Sequence, residues 1–200
     1  MPFTILFAIL FAKFKGYKVS LLFKSWTIYP ILVAEIILLF FQISVLFGTY
    51  YFVQFAQINK IFHLMLFLIP FFCFKLYKEG LIGSISILIG TSMNKFVMFQ
   101  NDGKMPVFPS LSFLTGNAKH NAIEIADNVN KDWGIFNFLL NLFPSKNIHT
   151  LGNINTKWKF FSDYIDFGYT ILSIGDLFVH FFGFLIIYGS IRFLNKEIYK

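Results

Sequence analysis

The sequence predicts an all-α fold: a polytopic membrane helix bundle of about five spans, bounded by four and six, with one long outer loop segment. Three observations predict it. The chain is 56% hydrophobic with a mean hydropathy of +0.66, beyond the usual balance of a soluble domain. Thirty of its 200 residues are Phe, more than the interior of a domain this size hides from water. Apolar runs alternate with short charged segments, and a helix satisfies its own backbone in hydrocarbon.

The first apolar run, residues 2–14, is short by the ~20-residue rule, so it is either a short span or a re-entrant segment. Three lysines, Lys13, Lys15 and Lys18, follow its apolar stretch "MPFTILFAILFA". A secretory signal carries positive charge before its apolar core instead. The second run is 27–47, "TIYPILVAEIILLFFQISVLF". The third, 58–74, contains Pro70, tolerable where neighbouring helices satisfy the freed backbone. The fourth is 81–99, "LIGSISILIGTSMNKFVMF", and the fifth is 169–191. Together, residues 1–200 form a single integral membrane domain, with 100–168 as its extracytoplasmic loop segment. Within that loop, "NAIEIADNVNK" suits a short helix. "WGIFNFLLNLF", 133–143, is too short to span and suits an interfacial or bundle-plugging segment.

Charge sets the threading. With the N-terminus outside, the inner segments 13–26, 75–80 and 192–200 hold nine of the seventeen Lys and Arg residues. The short outer connection before the third run holds only Lys60. This is the inward bias of basic residues in short loops. It places the chain in the cell membrane as a multi-pass protein, N-terminus outside and C-terminus cytoplasmic. Trp26 then falls at the inner interface and Trp133 and Trp158 near the outer one, where indoles concentrate. The net charge of +7 reads as topology. Nucleic acid is not an expected partner, because the lysines are spread rather than clustered. The expected partners are the lipid bilayer and a second membrane protein. No cofactor or metal is expected: Cys73 is the only cysteine, no Cys/His metal spacing occurs, and there is no phosphate loop or haem motif.

The candidate functional residues are ionisable or small residues inside apolar runs. On a helix, Ser173, Asp176, His180, Gly183, Ile187 and Ser190 of the fifth run share one stripe. A charge at the bilayer centre costs ~2.5–3.5 kcal/mol on insertion scales, so this stripe should turn inward. Gly83, Ser86, Gly90 and Asn94 of the fourth run recur at the same spacing, and small residues admit close helix approach. The fourth and fifth spans should therefore pack directly. Glu35 lies eleven residues from Lys24, ~16 Å of helix, and His180 twelve from Arg192, ~18 Å, so the two can meet if their helices adjoin. Asp176 lies one turn further out, near Asn94 and Lys95. For each, the functional reading stands beside a packing one. His63 reads as an interfacial residue near a helix end and Cys73 as a small buried hydrophobe. His120, His149 and Asp127 lie in the outer segment at irregular spacing.

"QNDGKMPVFP", 100–109, leaves the fourth span. Asn101, Asp102 and Gly103 suit a tight turn. Met105 and the prolines at 106 and 109 suit an extended segment. The segment is either a plain membrane exit or a binding rim presenting Asp102 and Lys104.

"NDGKMPV", then "FFSDYIDF", then "SIGDLFVHFFGF" resemble an uncharacterised family of small multi-pass bacterial membrane proteins, a domain of unknown function. The resemblance rests on Asn101, Gly103, Met105, Pro106 and Val107, then Asp163, then Ser173, Gly175 and Asp176. Asp102 is an insertion between the Asn and the Gly. The resemblance implies a bacterial membrane location and no known activity. The chain is also similar to lipoprotein signal peptidases, which end in a span opened by an Asp-bearing motif and carry a Gly-Asn motif upstream. In "GNINTK", 152–157, Thr156 stands where the first catalytic Asp of those enzymes falls. Aspartyl hydrolysis needs two carboxylates sharing a proton, so Asp163 or Asp166 would have to join Asp176.

Three classes follow: a non-enzymatic binding or assembly protein, which the absence of internal duplication and the short chain favour; a small proton-linked transporter using Glu35, His180 and Asp176; and an intramembrane aspartyl hydrolase. Asp176→Asn separates them. It abolishes hydrolysis in the third, alters proton-coupled uptake in the second, and leaves the first assembled.

Overall fold

The structure is a computed structural model that describes residues 2–47, 62–114, 149–168 and 170–198. It is mostly helical. In order come α1 (Pro2–Phe14), two 3-10 turns (Val19–Lys24 and Trp26–Ile28), α2 (Tyr29–Leu46), α3 (Phe62–Cys73), α4 (Tyr77–Gln100), β1 (Met105–Val107), α5 (Leu111–Leu114), β2 (His149–Leu151), a 3-10 turn at Lys159–Phe161, β3 (Ile165–Asp166), β4 (Ile171–Leu172) and α6 (Ile174–Ile198). Two of these, α4 and α6, are long and apolar enough to cross a membrane. The helices α1 and α3 are apolar but short, and α2 falls in the same shorter class. The expected "NAIEIADNVNK" helix, the "WGIFNFLLNLF" segment and the start of the third run lie outside the described residues.

Three helices end the same way. After α1, the Tyr17 N–H donates to the Ala12 carbonyl (3.0 Å) around Gly16, whose φ is +82°. After α3, the Leu76 N–H donates to the Phe71 carbonyl (3.0 Å) around Lys75, φ +52°. After α4, the Gly103 N–H donates to the Met98 carbonyl (2.9 Å) around Asp102, φ +55°. Each is a six-to-one closure with a left-handed residue just past the helix. Glycine takes that conformation freely and Asp tolerates it, whereas for Lys75 it costs ~1–2 kcal/mol.

The described residues cluster into two compact units. The first comprises Met1–Ile37, Ile61–Thr91 and Asp176–Lys200. Its core is built on α6, whose Phe182, Ile186, Ile187 and Ile191 are buried with Ala8 and Ala12 of α1, Ile31 of α2 and Phe67 of α3. Ala8 and Ala12 keep α1 slim on that side, and the rings of Phe7 and Phe11 lie 5.8 and 5.7 Å from Phe184. The expected contact between the fourth and fifth runs is present. A Cβ on Gly83 of α4 would meet Phe182 Cδ2 at 2.5 Å and its Cα at 3.2 Å. One turn on, the Ser86 hydroxyl donates to the Phe178 carbonyl (2.7 Å). The predicted stripe of α6 turns inward at Gly183, Ile187 and Ser190, while His180 is half-buried.

The second unit, Leu38–Lys60 and Ser92–Gly175, adds a small β component to the mostly helical fold. The loop forms two small sheets. The strands β1 and β2 are parallel, with Met105 opposite His149, Pro106 opposite Thr150 and Val107 opposite Leu151. The strands β3 and β4 are antiparallel, with Ile165 opposite Leu172 and Asp166 opposite Ile171. A bridge joins Val107 to Asp163. Pro106 holds β1 extended and lacks an N–H, yet its carbonyl accepts from the Asp163 N–H (3.0 Å).

Two smaller expectations are corrected. Cys73 is exposed, because it sits at the last position of α3 and turns away from the core. His63 is fully buried.

The Gly83 contact makes a stability prediction. Gly83→Val crowds Phe182 and should cost about 1–3 kcal/mol by overpacking, read as a lower melting temperature of the purified protein. Ile85→Val, on an exposed position of the same helix, should leave the melting temperature unchanged. Equal melting of Gly83→Val and the parent would show that the helices do not approach there.

Candidate functional site

Polar side chains collect in one place in the first unit. Glu35 of α2 and His63 of α3 are both buried, and Glu35 Oε1 lies 3.2 Å from His63 Nε2. The atoms are close, but Glu35 Oε1 and His63 Nε2 form no hydrogen bond with each other. His63 Nδ1 is buried with no hydrogen-bond partner among the described residues, and the ring stands edge-on to Phe67 at 5.3 Å. Sequence reasoning paired Glu35 with His180; the histidine that the structure places at Glu35 is His63. The signal was there to read. His63 lies twelve residues before Lys75, ~18 Å of helix, the same depth as His180 counted from Arg192.

The end of this unit that holds the C-terminal turns of α6 is secured by two further polar contacts. Arg192 Nη2 donates to Glu79 Oε1. Asn195 Oδ1 accepts from the Lys18 N–H (2.8 Å), and its Nδ2 donates to the Lys18 carbonyl (3.2 Å) and the Ile191 carbonyl (2.8 Å). Neither contact was anticipated, because both join residues more than a hundred positions apart.

Most of the other candidates fall in the second unit. Asn101 closes α4: its Nδ2 donates to the Val97 carbonyl (2.9 Å) and the Lys157 carbonyl (3.0 Å), and its Oδ1 accepts from the Lys157 N–H (3.0 Å). The tight turn expected at Asp102 and Gly103 is the helix closure described above. Asp102 and Lys104 are exposed, whereas Met105 and Pro106 are buried. Asp163 is buried, with Oδ2 3.6 Å from the half-exposed His149 Nε2. Its backbone ties the segment on both sides of β1, since its carbonyl accepts from the Phe108 N–H (2.7 Å). The Ser173 hydroxyl donates to Asn94 Oδ1 (2.9 Å). Thr156 accepts from the Asn153 N–H (2.9 Å) within a short turn.

Asp176 is the third residue of α6. The fifth apolar run begins at 169, whereas the helix starts at Ile174, after β4. Ser173 and Asp176 thus have the spacing of a helix-start capping pair, and an acid in a first turn is favoured by the helix dipole. Gly175 between them is buried.

Asp166 is held from several sides. Its Oδ2 accepts from the Ser110 N–H (2.7 Å) and the Ser112 N–H (2.8 Å). Its Oδ1 accepts from the Ser112 hydroxyl (2.5 Å) and the Gly168 N–H (2.7 Å). Burial pushes the carboxyl up, but the bonds from Ser112, Ser110 and Gly168 outweigh it and hold the group below its ordinary 3.8. Among the described residues, no group of three or more His, Cys, Asp or Glu is placed to hold a metal.

The fold and these contacts define a helical protein with two long apolar helices and a polar, cross-tied loop. The chain belongs to a family of unknown function, DUF5317, whose sequence model matches residues 20–188. No curated protein matches the chain, and no solved structure does.

The Asp166 network predicts a pH dependence. A carboxyl held low contributes stability that is present above its unfolded value and lost as pH falls through its folded value. Proteolysis of the loop should therefore accelerate below about pH 4 in the parent. In Asp166→Ala it should be fast already at pH 7 and change less with acid. Equal cleavage of both proteins across pH 3–7 would remove the network from the account.

Proposed function

We propose that the chain is a multi-pass membrane protein with a binding or assembly role, N-terminus outside and C-terminus cytoplasmic. One observation carries this reading: only 22% of the apolar stretch of α4 and 39% of that of α6 is buried. A core helix of a soluble protein is mostly buried. Here Leu81, Ile85 and Leu88 stand exposed along α4, and Phe7, Leu10 and Ile36 along α1 and α2. Exposed apolar surface on this scale marks a lipid or protein contact. The short helices α1, α2 and α3 then lie beside α4 and α6 as further spans or re-entrant pieces.

The state of the loop acids supports assembly over catalysis. The bonds to Asp166 come from its own loop, and Asp163 holds β1. Asn101 is tied on both its amide atoms. The aspartyl hydrolase reading draws no support from this arrangement. The Glu35–His63 contact favours a second reading, a small proton-linked transporter, since intramembrane ionisable pairs commonly mark proton paths. The parent in liposomes would then pass protons and Glu35→Gln would not; an impermeable parent discards this second reading.

Alkaline carbonate washing of membranes from expressing cells should leave the protein in the pellet. In a Cys73→Ser background, Asp102→Cys should react with an impermeant maleimide added to intact cells, and Lys196→Cys only after lysis. Recovery in the carbonate supernatant would sink the membrane reading; the reverse labelling pattern would sink the orientation alone.

A further inference from the structure

The first unit carries an apolar cleft of about 530 Å³ between α3 and the first half of α4. Leu64, Leu68 and Phe71 form one wall and Tyr77, Leu81 and Ile87 the other. The floor closes at Gly80, where a Cβ would collide with the Phe71 ring. From Tyr77 to Ile87 is ten residues, ~15 Å of helix, half of the ~30 Å hydrocarbon core. The cleft therefore has the length of one acyl chain in one leaflet.

Its Tyr77 end is basic. Lys75 sits in the turn before α4 and Lys78 in its first turn, and both are exposed. Lys75 keeps a left-handed backbone that glycine would take without strain. The nearby acid, Glu79, is already matched by Arg192, leaving the two lysines to set the local charge. The Tyr77 ring, edge-on to Phe71 at 5.8 Å and exposed, suits a headgroup boundary.

We infer that this cleft binds one acyl chain of an anionic phospholipid, with Lys75 and Lys78 meeting its phosphate headgroup at the cytoplasmic side. The inference rests on the membrane reading above and adds a ligand class to it. A zwitterionic lipid offers the same chain but no net charge, so discrimination between the two reports the lysines alone.

The test is native mass spectrometry of the full chain in detergent, incubated with equal amounts of phosphatidylglycerol and phosphatidylcholine bearing identical chains. The parent should retain phosphatidylglycerol preferentially. Lys75→Asn with Lys78→Gln should lower that preference about fivefold for each lysine, leaving phosphatidylcholine unchanged. Ser84→Trp, and separately Leu81→Trp, fill the cleft from exposed positions and should reduce both lipids. Equal retention of the two lipids by the parent overturns the inference, as does full retention by both tryptophan variants. A dimer of the parent that either tryptophan variant dissolves would also overturn it, assigning the cleft to a second copy. A chain that stays dispersed without detergent defeats the membrane reading instead, which is a separate outcome.

Discussion

The first unit depends on α6 finding a partner for each polar group that it buries. In a low-dielectric interior an unmatched polar group costs several times what a matched one contributes. The helix buries Ser190 and Asn195 and half-buries Arg192. Ser190 returns its hydroxyl to the Ile186 carbonyl at 2.7 Å. Asn195 takes both backbone groups of Lys18, and Arg192 takes Glu79. These partners come from different parts of the chain, so they fix α6 against the turn after α1 and against the first turn of α4 together. Apolar packing alone would hold the helices without fixing their rotation.

Close approach is what brings those partners into range. Gly83 admits the Phe182 side chain, and Gly183 admits Phe67, whose Cζ would lie 3.1 Å from an added Cβ. Gly189 stands against Leu76 and the Glu79 stem in the same way. The ion pair at Arg192 thus follows from a glycine three residues earlier on α6: a larger residue at 189 would push Glu79 away from its partner. Packing and electrostatics are here one constraint seen from two sides.

Much of this was legible in the sequence, and the parts that were not share a cause. The repeat of Gly83, Ser86 and Gly90 announced a helix face before any partner was known, and Asn101-Asp102-Gly103 announced a turn. Both signals are local, written within a few residues. The pairing of β1 with β2 is not local, since Met105 meets His149 across forty-odd positions and three residues are too few to show an alternating pattern. Asp166 likewise reveals nothing of Ser110 and Ser112 until the loop folds. His63 was legible by depth but was read by its nearness to a run boundary. The helix start at Ile174 was blurred because β4 is apolar and runs into α6 without a break in hydropathy.

The two polar groupings differ in kind, and that difference bears on function. In the loop, Asn101, Asp163 and Asp166 each bond to a residue that defines the loop's own path. Groups used in that way are spent on shape, and shape is what a binding or assembly surface requires. The Glu35–His63 contact is different. It joins a carboxyl and an imidazole that could each hold or release a proton, in a place where neutral apolar residues of similar volume would pack as well or better. The pair therefore differs from the loop acids in what it joins: two titratable groups on separate helices, α2 and α3, rather than a side chain and the path of its own loop.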